Sequence, residues 1–242
     1  MNIKMHQIEI GDITIDVVSK RIKNMHLSVY PPTGRVRIAA PLEIDDEAIR
    51  LFAISKLAWI KRHQRNFEKQ DRQSVRIFAE RESHYFQGKR YLLRVTEREA
   101  PPSVELKFKT RIDLYVRPDS TLEQRVSILN EWYRKQLKSQ IPALIDKWEK
   151  IMDVTVNDWG VKLMKTKWGT CNIEDKRIWI NLELAKKPVH CLEFIVVHEM
   201  VHLLERNHSE LFVGYMDKYM PGWKRLKEEL NKLPVSYADW GY

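Results

Sequence analysis

From Phe194 to Phe212 the sequence reads FIVVHEMVHLLERNHSELF, placing three histidines and three glutamates in an otherwise apolar stretch. His198 and His202 stand four residues apart, so on an α-helix their side chains share one face, one turn apart, and can share a metal ion. Glu199 then points to the adjoining side. In this HExxH arrangement two imidazoles bind Zn²⁺ and the glutamate accepts a proton from the attacking water, which is chemistry for hydrolysing an amide. The plainer reading is a chance pair of core histidines. Burying two imidazoles and a carboxylate in so apolar a helix costs several kcal/mol without compensation, and a cation supplies that compensation.

A hydrolytic zinc site takes three protein ligands and keeps one position open. The sequence favours His208 as the third, with Glu205 and Glu210 as rivals. Six residues of unbroken helix would turn His208 about 240° away from the histidine face, so the helix must end first. Asn207 suits that role, and with Glu210 three residues later it has the spacing of a capping box for the next helix. A second donor for the oxyanion is open among Tyr215, His190, Arg206 and Lys167, each of which more commonly serves packing or the surface. The segment KWGTCN, Lys167 to Asn172, has two readings. As an edge strand, its Trp168, Gly169 and Thr170 would pair with an extended peptide. Otherwise Trp168 packs in the core and Gly169 forms a bulge. Cys171 has no CxxC partner and reads as a small buried thiol.

The elements that must position these residues follow from periodicity. IEIGDITIDVVSK and HLSVYPPTGRVRIAAP alternate as strands, with Pro31, Pro32 and Gly34 as a turn between two apolar runs. The next segment carries Ile49, Phe52, Ala53, Leu57 and Ile60 at helical spacing, after a cap at Asp45 or Asp46. Strand signals return in SHYFQGKRYLLRVTE and SVELKFKTRIDLYV. A long helical stretch begins at a Ser120 or Thr121 cap, and Pro142 is expected to kink or split it. Strands resume from Val154, with IEDK as a hairpin turn before KRIWIN, and two final helices flank Pro221 and Gly222. These patterns predict an α+β fold: a β-rich region over residues 1–118 with one helix, then a catalytic domain over 119–242. No internal repeat is visible.

The chain has 242 residues, 43% hydrophobic and 31% charged, as an ordinary globular protein does. No run approaches the roughly 18 apolar residues needed to span a bilayer, and the N-terminus MNIKMHQIEI lacks a secretory apolar run. With two cysteines, this points to the cytoplasm. The net charge of +9 favours acidic partners, including weak association with nucleic acid, but the basic residues are scattered rather than gathered in one patch. Two other function classes compete with a peptidase. A zinc-stabilised, DNA-associated binding module would need a fourth ligand and no Glu199, and a metal-dependent nuclease would usually gather carboxylates around Mg²⁺.

HEMVHLLERNHSELF preceded by KWGTCN resembles the YgjP-like metallopeptidases, which carry a WGSC-type strand, then HExxH, then a third histidine in an NHS segment. RIKNMHLSVYPPTGRVRIAAP, KLAWI and EWYRKQLKSQIPALIDKW are similar to that family's N-terminal region and middle helix, so the likeness runs over most of the chain. It implies a minimal zincin-like catalytic domain with His198, His202 and His208 on one zinc ion, Glu199 as general base, and a peptide or protein substrate. It also implies kinship with SprT-type proteases, some of which act on DNA-bound proteins. Thr170 stands where the family often has Ser.

Overall fold

The structure, a computed structural model, describes residues 4–30, 33–69, 78, 80–164 and 167–233. The chain divides into two compact units, 1–71 and 72–242. In the first unit, β1 (Lys4–Ile10) and β2 (Ile13–Ser19) form one antiparallel hairpin and β3 (His26–Tyr30) and β4 (Arg35–Ala40) another, as the alternation predicts. The two hairpins join through a parallel pairing of β2 with β4. Gly34 closes the second hairpin at φ +72°, a conformation that glycine adopts without a Cβ penalty. Pro31 and Pro32 lie outside the described residues. The helical stretch is two helices, α1 (Asp46–Ser55) and α2 (Leu57–Lys69), rather than one. Asp45 is the cap, its carboxylate accepting from Ala48 N at 2.8 Å. The backbone N–H of Lys56 folds back onto the carbonyls of Ala53 and Ile54, ending α1 there. Ile49, Ala53 and Ile60 pack with Ile15, Val17 and Ile38 into this unit's own core.

The second unit repeats that strand arrangement without repeating its sequence. β5 (Ser83–Phe86) with β6 (Lys89–Glu97), and β7 (Ser103–Lys107) with β8 (Arg111–Val116), are antiparallel hairpins joined by parallel β6 and β8. α3 (Leu122–Met152) follows, started by a reciprocal capping box between Thr121 and Gln124 and stopped by Asp153 in the left-handed region. Leu129, Tyr133, Leu137, Ile141, Ile145, Trp148 and Met152 recur at steps of four or three, so they form one buried stripe along the helix. That stripe carries α3 through Pro142 unbroken, because the packing along it outweighs one lost intrahelical bond.

β9 (Asp158–Lys162), β10 (Gly169–Asn172) and β11 (Arg177–Asn181) make a third sheet in the order β10-β11-β9, with β10 at an edge. β10 and β11 are the expected hairpin, while β9 runs parallel to β11. A 3-10 turn (Leu182–Lys186) leads into α4 (Val189–Val201), then α5 (Glu210–Tyr219) and α6 (Trp223–Lys232). One core holds residues of the second four-stranded sheet, α3, the third sheet and all three final helices. The expected divide after residue 118 therefore falls inside this unit, since Leu93, Ile112 and Leu114 share a core with α3 and α4. Among the described residues no helix is long and apolar enough to cross a membrane.

Candidate metal centre

α4 is apolar nearly all round, and Phe194, Ile195, Val196, Val197, Met200 and Val201 are all buried. A helix of that kind must sit in a core, and it does: it lies against α3, the third sheet and α6. Glu193 pins it to α3 by accepting from Trp148 Nε1 at 3.0 Å and from Lys147 Nζ at 2.7 Å. This fixed rod carries His198 and Glu199, with His202 at its C-terminal cap.

α4 ends at Val201, about one and a half turns earlier than a stop at Asn207 would give. The cap of α5 is Ser209, whose hydroxyl accepts from Phe212 N, and not Asn207 as the spacing suggests. Glu205 accounts for the early stop. Its carbonyl lies 3.1 Å from His202 Nδ1 and its carboxylate accepts from Asn207 N at 3.0 Å, so the chain turns back on itself between the two helices. The turn brings His208 Nε2 to 3.1 Å from His198 Nε2. Ligand atoms of His198, His202 and His208 all lie within 4.8 Å of one another. Two imidazoles held at about 2.0–2.1 Å by one tetrahedral metal have nitrogens roughly 3.3 Å apart, so the spacing fits a shared cation. With Nδ1 of His202 donating to the Glu205 carbonyl, its Nε2 keeps the lone pair a metal needs. Glu205 and Glu210 are not part of the gathering. Phe212 backs all three rings, with centroids 4.7 to 5.0 Å away.

The electrostatics suit a cation too. Burial, followed by the charges of His202, His208 and Lys227, pushes His198 down to about 3, and burial with the charges of His202 and Lys227 lowers His208. These rings are lone-pair donors at neutral pH. Burial pushes the Glu199 carboxyl up to about 8, opposed by Lys167, and a divalent cation beside it would restore the charged form. Glu199 is almost fully buried because β10 lies directly on it. A Cβ added at Gly169 would meet Glu199 Oε1 at 2.4 Å. Gly169 is paired in regular register with Ile180, so close approach to the carboxylate, and not a bulge, is what glycine serves here.

A cleft of about 980 Å³ opens over these groups, at the large end of ligand-site volumes. Trp168, Gly169 and Thr170 line one wall with Cys171, whose thiol is raised to about 11 by burial and by Glu199. Asn181 holds this wall in place: its side-chain N–H groups donate to the carbonyls of Met164 (2.8 Å) and Lys167 (2.7 Å). Of the four oxyanion candidates, Lys167 and Arg206 line the cleft. Tyr215 does not, because on α5 it turns toward the core and stacks on Tyr219. His190 does not either, being tied to Glu229 at 2.7 Å. His190, Cys191 and Glu229 form a second gathering of ligand atoms within 4.8 Å. Lys227 also lines the cleft, and the sequence reading missed it. Its signal is a lysine one turn after buried Trp223 and three residues before buried Leu230 on α6.

A family model described as "YgjP-like, metallopeptidase domain" matches residues 23–233. This chain belongs to the YgjP-like metallopeptidases. As a YgjP-like protein it is a peptide-bond hydrolase that works with a metal ion, and the three-histidine gathering could hold one. The metallopeptidase zymogen of Pyrococcus abyssi abylysin is similar over 38% of this chain and 91% of its own, at 17% identity and a TM-score of 0.35. A search of curated proteins finds no match.

Proposed function

We propose that the protein is a zinc-dependent endopeptidase in which His198, His202 and His208 hold the metal and Glu199 is the general base. The observation that carries this reading is the convergence of three imidazoles on one point, 3.1 Å between two of their Nε2 atoms, beside a buried carboxylate at the floor of an open cleft. Imidazole donors suit zinc better than magnesium or calcium, which take oxygen ligands. Bound zinc supplies Lewis acidity, bringing the ionisation of water near neutral pH and polarising the scissile carbonyl. Glu199 takes the proton of the attacking water and returns it to the leaving amine. The free edge of β10 offers main-chain hydrogen bonds to an extended peptide, with Trp168, Gly169 and Thr170 as its contact wall. A purely structural zinc would call for a fourth protein ligand, and among the described residues three gather here. Cys171 and Cys191 are unpaired thiols, which agrees with a cytoplasmic site of action.

Glu199→Gln tests this directly. The variant is expected to keep one zinc per chain and the native circular dichroism spectrum while losing casein hydrolysis by at least ~10²-fold. Cleavage at the wild-type rate would remove Glu199 from the mechanism.

A further inference from the structure

Three basic residues on separate segments line the cleft: Lys167 ahead of β10, Arg206 in the turn between His202 and His208, and Lys227 on α6. None of them has an ion-pair partner among the described residues, unlike Lys186 with Glu183, Lys147 with Glu193 and Arg111 with Asp113 in the same unit. Nearby carboxylates are engaged by other groups: Glu205 accepts from Asn207 N and Glu229 from His190. Apart from Glu199, only Glu174 adds an acidic group to the lining, so three basic side chains share the cleft with two carboxyl groups, one of them at the metal centre.

All three side chains are exposed where they line the cleft; the charge of Lys227 is felt at His198 and His208, while that of Lys167 is felt at Glu199. Positive charge therefore flanks the centre from two sides. The floor between them is apolar, formed in part by Phe194, Ile195, Leu203 and Leu230, and low-dielectric walls concentrate the field of the charges above them.

We propose that this cleft selects peptides bearing acidic side chains beside the scissile bond, with Lys167, Arg206 and Lys227 as the residues that read them. The inference rests on the peptidase reading above and adds the substrate class to it. An acidic residue on either side of the bond would meet an unpaired cation, and a basic residue would meet like charge. At partly exposed positions each such pairing is expected to change kcat/KM by about two- to fivefold, more at low ionic strength than at high.

The test uses three quenched fluorescent peptides that share one sequence and differ only in two residues flanking the cleaved bond: both Asp, both Ala or both Lys. The zinc-loaded full chain is expected to cleave them in the order Asp, Ala, Lys, with the differences shrinking as salt is added. Lys167→Glu combined with Lys227→Glu should reverse the order, and the neutral pair Lys167→Gln and Lys227→Gln should flatten it while the spectrum of the folded protein stays unchanged. Equal rates for the three peptides, or a preference that both double variants leave intact, would overturn the proposal. Casein cleavage that is lost in Glu199→Gln serves as the control: if it is present while the peptides are not discriminated, only the charge preference fails. If casein is not cleaved, the peptidase reading falls and takes the preference with it. Duplex DNA is included as a competitor. If it displaces the Asp peptide at lower charge concentration than polyglutamate does, the cations serve phosphate and the proposal is overturned.

Discussion

His202 shows how much of this centre depends on single atoms. Its ring is aimed by a backbone carbonyl, that of Glu205, while the Glu205 side chain only braces the turn. His208→Ala is therefore expected to weaken zinc binding by more than ~100-fold, beyond the usual cost of losing an outer support. Glu205→Ala keeps the carbonyl and is expected to cost much less. Competition with a chelating dye ranks the two, and the reverse order would make Glu205 the ligand. The buried carboxylate also sets a pH dependence in chelated protein. With Glu199 raised from 4.5 to about 8, the folded form keeps a proton that the unfolded chain has lost between those values, so this contribution to stability falls as pH rises from 4.5 through about 8. His198, lowered from 6.5 to about 3, acts in the opposite sense: its contribution is present above 6.5 and lost as pH falls toward 3. Between 4.5 and 6.5 the two slopes oppose each other. Glu199→Gln removes one of them, so its melting temperature relative to wild type should climb steadily between pH 4.5 and about 8 in calorimetry of the chelated proteins. A constant difference across that range would show the carboxyl is not held protonated.

At the scale of elements, the contact between β10 and α4 is the one most exposed to a small change. A methyl group at Gly169 would stand 2.4 Å from Glu199 Oε1, so Gly169→Ala must push the carboxylate or the strand aside by about 1 Å. A misplacement of that size is expected to reduce kcat about 10²-fold with zinc content unchanged, and full activity would mean that Glu199 has room to spare. Much of the architecture was legible in advance. The i, i+4 histidines, a cap at Ser120 or Thr121, the hairpins and the apolar face of α4 are local patterns, and local patterns survive folding. Where α4 would end was not legible, because a backbone carbonyl holding a histidine leaves no trace in residue type. The purpose of Gly169 was hidden for a similar reason: it is set by a carboxylate thirty residues further along the chain. Lys227 was missed because its place in the cleft wall depends on α6 packing against α4.

At the scale of the whole molecule, the two units keep separate cores, one drawn from residues up to Ile60 and the other from Phe78 onward. A fragment spanning 72–242 is accordingly expected to fold and to bind one zinc ion, as read by circular dichroism and elemental mass spectrometry. A fragment that binds none would show that the first unit is needed to form the centre. The two four-stranded sheets share one strand order, β1-β2-β4-β3 and β5-β6-β8-β7. In each, neighbouring strands in sequence form the outer hairpins, which close over short loops on a microsecond scale, whereas the central parallel pairing joins hairpins already made. Assembly of each sheet is then a collision of two preformed halves, and the slow step of folding belongs to the seam between them rather than to any turn.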